Sequence, residues 1–296
     1  MSGLPQLEKV WTEMGHEIVN DNPDILYHAN GFFSDLLEDS KKYPKAIKIG
    51  CLLDANPENK SWGNCLGGSS IESGEQKVRN QLKQLDIKVT ISKTAQDQII
   101  KRTNIICDVV GYPIKNITYL KYPFRGVRML VVGRIYSKNK RLQLIKETAE
   151  AYCGDAEQIL FVGPEKPPFG LYAGQIDESL LNICYNSSIF LLGLSSVEGL
   201  FLPMLESCCS RTVPILTLDN KCVHEFGLEY LAEEPDPIKL ARKMKEIEKN
   251  FDKYQKRIEK AGQEFRDRFS PQTVAKNILE LYNNYVKENP NYEKKS

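Results

Sequence analysis

SIFLLGLSSVEGLFLPMLESCCSRTVPILTL, residues 188–218, reads as strand, loop, helix, strand. Two short, continuous apolar runs, SIFLLGL and VPILTL, read as buried strands, and the helix between them opens with Pro203, a favoured first helical residue. Two such strands joined by one helix form the repeating unit of a parallel α/β sheet. The loop before the helix carries Glu198 and Gly199, and seven residues separate Glu198 from Glu206. This reading puts Glu206 in the first helical turn, where a carboxylate complements the helix dipole. Free backbone N–H groups at the same helix start would form an anion cradle. Two carboxylates flanking it suit the hydroxyls of a sugar or ribose beside a phosphate.

The same rhythm continues on both sides. Upstream lie the strand VRMLVVGRI (127–135), the helix RLQLIKETAEAYC (141–153), the strand QILFVGP (158–164), the strand GLYAGQI (170–176) and the helix ESLLNICYNSS (178–188). Downstream of Asp236 everything is helical, and Ser270-Pro271 marks the last helix start as N-cap and first residue. The first half alternates less regularly. It opens with a helix at LEKVWTEMG (7–15) stopped by Gly15, followed by a strand at DILYHAN (24–30), a helix at SDLLEDSKKY (34–43) and a strand at AIKIGCLLD (46–54). A polar loop from Asn56 to Gly74 precedes a helix at 75–86, a strand at IKVTIS (87–92), a helix at 93–104 and a strand at ICDVVGYPI (106–114). KNITYLKYPFRG (115–126) has no period and contains Pro123, so it reads as an interdomain linker.

Composition narrows the function. With 40 Lys+Arg against 39 Asp+Glu in 296 residues, the surface lacks the basic excess of an obligate nucleic-acid or anionic-membrane binder. The eight cysteines include no CxxC pair and no histidines at zinc-finger spacing, which argues against a metal site and for a reducing compartment. No apolar run approaches the roughly 18 residues of a membrane span, and no signal peptide is visible. The expected location is therefore cytoplasmic, with peripheral membrane association left open, and the sequons at Asn59, Asn116 and Asn186 are expected to be idle.

Cations stand where an anion would bind. In VVGRIYSKNKR (131–141) a buried strand ends at Gly133, Arg134 follows, and Lys138, Lys140 and Arg141 come within the next turn. Ligands of open α/β sheets bind outside the carboxyl ends of strands, so these groups would face an anion such as a diphosphate. Gly163-Pro164 ends the next strand in the same way.

The ordered set VGRI with a following lysine, VGP, YAG, Glu198 and Glu206 about EGLFLP, VPIL and FSPQTVAKNILELY resembles the nucleotide-sugar-binding domain of retaining GT-B glycosyltransferases, family 4. It runs from about Met129 to Tyr285. The resemblance implies an α/β GT-B architecture of two Rossmann-like lobes with parallel sheets. Residues 1–122 would form a reduced acceptor-side lobe joined by the C-terminal helix 271–288, and residues 123–270 the donor lobe. It implies that Arg134 and Lys140, or Lys138 in its place, hold the donor diphosphate, with Gly133 at the strand end. Glu198 would contact donor-sugar hydroxyls, and the backbone of Gly199, Leu200, Phe201 and Leu202 would lie beside the diphosphate. Glu206 would bind the ribose, and Gly163 and Pro164 would lie near the base.

The implied activity is metal-independent transfer of a hexosyl group from a UDP- or GDP-sugar to a hydroxyl acceptor, with no permanently bound cofactor. That acceptor is a glycan, a lipid-linked sugar or another hydroxyl compound, nucleic acid not being excluded. Three features depart from the pattern. Phe201 stands where the family usually has a second glycine, the first strand of the N-terminal lobe is expected to be absent, and Asp54 occupies the place of a histidine near the anomeric carbon. Either Asp54 takes that location or His28 faces the cleft. A non-catalytic nucleotide-sugar sensor or partner subunit of the same fold is the alternative. A dinucleotide-dependent oxidoreductase finds no GxGxxG to support it.

Overall fold

The computed structural model describes residues 4–19, 21–29, 38–39, 41–53, 71–120 and 126–290. The chain forms two compact units, one from Met1–Pro113 with Arg268–Ser296 and one from Ile114–Asp267.

The first unit carries a parallel sheet in the order β1-β2-β3-β4, with β1 Ile25–Ala29, β2 Ile47–Leu52, β3 Ile87–Thr90 and β4 Asp108–Val109. β2 and β3 are almost wholly buried, as expected of strands covered on both faces. The expected strand at 106–114 shrinks to two exposed residues, because the ladder to β3 ends at Val109. Most of the expected helix at 34–43, and most of the polar loop from Asn56, fall outside the described residues, although Ile71–Leu82 is already helical.

The closing helix Pro271–Glu288 starts as its sequence dictates, with Ser270 Oγ accepting from the Thr273 amide at 3.0 Å. It is bound to this unit by Asn277 Nδ2, which donates to the Val110 carbonyl at 3.1 Å, and by the Tyr285 hydroxyl, 3.2 Å from Asp86. Helix Leu4–Glu13 packs against it.

The second unit is a six-stranded parallel sheet ordered β10-β9-β8-β5-β6-β7. Its strands are β5 Val127–Val132, β6 Ile159–Val162, β7 Leu171–Gly174, β8 Ser188–Gly193, β9 Val213–Thr217 and β10 Ala232–Glu233. Counted within the unit this is the doubly wound order 3-2-1-4-5-6, whose direction of winding reverses between β5 and β8. The two neighbours pair along their length, Met129 opposite Phe190 and Leu130 opposite Leu191. A crevice at their carboxyl ends follows from the topology alone.

One segment departs from its reading as a free linker. Residues 114–120 belong to the second unit, where the amides of Asn116, Thr118 and Leu120 donate to Glu178 Oε1 (2.8 Å), Asn182 Oδ1 (3.2 Å) and Asn186 Oδ1 (2.7 Å) of helix Glu178–Ser187. Every second residue of an extended chain advances about 6.6 Å and every fourth helical residue about 6 Å, so the two repeats match. The structural division after Pro113 thus comes earlier than the expected boundary at 122. Asn186 is 2% exposed and fully engaged in this ladder, which closes that sequon to modification in the folded chain.

Candidate functional site

Three glycines line the carboxyl edge of the second sheet. Gly133 ends β5 with φ 110, a conformation that side chains resist, and its amide donates to the Val162 carbonyl at 2.8 Å. Gly163 ends β6, and a Cβ there would stand 2.2 Å from the Gly133 carbonyl oxygen. Its own amide donates to the carbonyl of Gly174, at the end of β7, at 3.0 Å. The VGR, VGP and YAG signatures are therefore one shelf of backbone in close contact.

Arg134 is exposed on this shelf. Beside it lies Glu165, unnoticed in the sequence, whose carboxylate accepts from the Ile135 and Tyr136 amides at 2.7 and 3.1 Å. Those two backbone bonds, aided by the Arg134 charge, hold its carboxyl below the usual carboxylate range. Exposed Pro164 follows Gly163 in the same turn.

The chain then makes a short 3-10 turn, Lys138–Lys140, that meets the loop after β8. The Ser196 amide donates to the Asn139 carbonyl at 2.9 Å, and Asn139 Nδ2 donates back to the Val197 carbonyl at 3.0 Å. Lys140 Nζ is in direct contact with Glu198 Oε1, both side chains being mostly buried, and it lies 5.3 Å from the centroid of the Phe201 ring. Lys138 is exposed on the same turn. Arg141 faces another way: its guanidinium pairs with Asp219, so it is a clamp between the turn and the end of β9. Burial works to raise the Asp219 carboxyl, but the Arg141 and Thr217 hydrogen bonds outweigh it and the carboxyl is lowered.

The Glu198 loop is held by residues that no sequence pattern singles out. Buried Asn220 donates to the Ser195 carbonyl at 3.0 Å, and the buried Cys222 thiol points at the carbonyls of Glu198 and Gly199, with Sγ 3.3 and 3.4 Å away. Phe201 turns its ring toward the sheet, where a Cβ on Gly193 would stand 2.5 Å from its Cε1. The aromatic at position 201 thus requires a glycine at the end of β8, and the Lys140 ammonium rests over its ring.

Two expectations about the following helix need correction. It runs Leu202–Cys209, so Glu206 lies past its first turn. The helix start is also a poorer cradle than expected: Pro203 has no N–H, Leu202 donates to the Leu200 carbonyl, and Met204 and Leu205 donate to Phe201. Leu200 and Phe201 are themselves buried. Glu206 is 3% exposed and accepts from the Tyr185 hydroxyl at 2.8 Å. Burial raises its carboxyl despite the Lys115 charge, the Tyr185 bond and the Lys115 amide.

In the first unit His28 sits one residue before the end of β1, opposite Gly50 of β2, while Asp54 lies outside the described residues. A cavity of about 420 Å³, lined by Trp11, His16, Asp24, Tyr27 and Ile278 among others, opens at the start of β1. That is the amino end of the strand, whereas sheets of this type do their chemistry at the carboxyl end. Among the described residues no group of three or more His, Cys, Asp or Glu is placed to hold a metal ion, and no helix is long and apolar enough to cross a membrane.

No family model and no curated protein sequence matches the chain. Solved structures do. Anabaena HepE, determined in complex with UDP-glucose, superposes with a TM-score of 0.69 at 12% identity, covering 94% of this chain and 82% of its own. A glycosyltransferase from Rickettsia africae gives 0.65 at 15% identity over 96% of this chain and 94% of its own. S. aureus TarM, whose complex holds fondaparinux, α-GlcNAc-glycerol and UDP, gives 0.62 at 16% identity over 80% of this chain, which spans only 51% of TarM. The two parallel sheets with their covering helices are therefore the α/β architecture of GT-B glycosyltransferases.

Proposed function

We propose that the chain is a retaining glycosyltransferase whose donor, a nucleoside diphosphate sugar, binds at the carboxyl edge of the second sheet. The observation that carries this reading is the meeting of Lys140 with Glu198 at the reversal between β5 and β8, on the same strand edge as Arg134. Two cations and one carboxylate there match a diphosphate joined to a polyol.

Arg134 and Lys140 take the diphosphate, with Lys138 exposed beside them and the backbone of Gly133 and Gly199 close to it, while Gly163 and Pro164 lie near the base. Charge accumulates on the leaving phosphate as the anomeric C–O bond breaks, so fixed cations lower the barrier more than they tighten the ground state. Glu198 accepts hydrogen bonds from sugar hydroxyls. Glu206 is assigned the ribose, in exchange for part of its present bonding to Tyr185. The acceptor oxygen attacks the face the phosphate leaves, and its proton passes to the departing phosphate oxygen. No protein base is needed on this route, and His28 and Asp54 are kept as acceptor-side candidates. The protein cations carry the charge that a metal carries elsewhere.

A UDP-sugar is the first donor to try, since HepE is known with UDP-glucose. At one hundred times its dissociation constant a true donor adds about 2.7 kcal/mol of stability. Thermal melts with UDP- and GDP-sugars, followed by an assay for released nucleotide, test both halves of the reading. Lys140→Met is expected to lower the transfer rate by about 10²–10³-fold. Absence of any stabilising donor refutes the proposal, and binding without transfer to any acceptor leaves the non-catalytic sensor.

A further inference from the structure

We infer that Glu198 is the residue by which this site tells an intact sugar donor from a bare nucleoside diphosphate, because it holds Lys140 until a sugar hydroxyl replaces the ammonium. The inference rests on the donor-site reading above and adds a direction to it.

The ion pair joins two groups that the reading sends to different parts of one ligand. Both are substantially buried, Lys140 at 23% and Glu198 at 15% side-chain exposure. The Glu198 backbone cannot retreat to relieve a lost contact. The carbonyls of Ser195, Val197, Glu198 and Gly199 are all engaged by Asn220, Asn139 and Cys222. Lys140 has only side-chain freedom too, since its turn is tied to Ser196 and its ammonium rests over Phe201. Exchange must therefore occur between side-chain heads.

A bare diphosphate draws Lys140 away from the mostly buried Glu198 carboxylate and sets an anion in the ammonium's place. Breaking one half of such a pair is costly. A sugar donor offers phosphate oxygens to Lys140 and hydroxyl protons to Glu198 together, so both groups stay satisfied. After transfer the sugar is gone, Lys140 returns to Glu198, and the diphosphate is expelled. The pair thereby favours substrate over product.

Calorimetric titration of UDP, GDP and their glucose esters into the wild type, Glu198→Gln, Lys140→Met and the double variant decides the matter. Wild type should prefer the better glucose ester over its diphosphate. Glu198→Gln keeps the side-chain shape and should bind the diphosphate about tenfold more tightly, a shift worth about 1.4 kcal/mol, while losing affinity for the glucose ester. In the Lys140→Met background the same change should leave diphosphate affinity nearly unaltered. Diphosphate affinity that is unchanged or weaker in Glu198→Gln overturns the inference. So does a full gain that persists without Lys140, since simple removal of a repelling charge then explains it. If the wild type binds none of the four compounds, the donor site itself is wrong and the inference falls with it.

Discussion

Glu206 shows how burial changes what a carboxylate can do. An unfolded glutamate loses its proton near pH 4.3, whereas desolvation raises the folded group above that value, against the pull of Lys115 and Tyr185. Between the two values the native state holds a proton the unfolded state has released. Stability must therefore fall as pH rises from about 4.3 through the folded value, then level off. Glu165 and Asp219 act in the opposite sense, being lowered, and their contribution disappears only on the acid side, below about pH 4. Urea unfolding at a series of pH values from 4.5 to 8 should show the descent in the wild type. Glu206→Gln, which keeps an oxygen for the Tyr185 hydroxyl, should flatten it; a descent of equal depth in the variant would place the cause elsewhere.

The element most worth testing is the polar ladder between residues 114–120 and helix Glu178–Ser187. Asn186 accepts from the Leu120 amide and donates to the Thr118 carbonyl at 2.9 Å from a position 2% exposed. Asn186→Ala strands two backbone groups and should destabilise the second unit by about 1–3 kcal/mol, seen as a lower denaturation midpoint. Asn182→Ala, at a wetter rung, should cost less. A neutral Asn186→Ala would mean that the ladder is decoration. This ladder was illegible in the sequence for a physical reason: it matches a period of two on one segment to a period of four on another more than sixty residues away. The strands were legible because parallel strands buried on both faces, such as VPILT, read as unbroken apolar runs. Charged groups at strand ends, Arg134 and Lys140 among them, stood out against those runs. Their supports did not, because Cys222 and Asn220 act on backbone carbonyls and belong to no charge or glycine pattern.

At the scale of the whole chain, the second unit is continuous in sequence and the first is not. Ile114–Asp267 is flanked on both sides by residues of the other unit, whose last contribution is the helix from Pro271. That helix supplies Ala275 and Ile278 to the buried core, bonds from Asn277 and Tyr285 to Val110 and Asp86, and a face for helix Leu4–Glu13. A chain ending at Asp267 should therefore damage the two units unequally. The first loses buried apolar surface worth about 1.5–3 kcal/mol per large side chain, several of them at once, which exceeds what a small unit can spare. The second keeps all six strands, Arg134, Lys140 and Glu198. Hydrogen exchange on the truncated chain should show β1–β3 unprotected and β5, β8 and β9 still protected, with nucleoside diphosphate affinity within a few-fold of the full chain. Transfer activity should vanish, because every acceptor-side candidate lies in the damaged unit. Loss of protection in both units together would mean that the second cannot hold its fold alone, and that the donor groups depend on residues outside Ile114–Asp267.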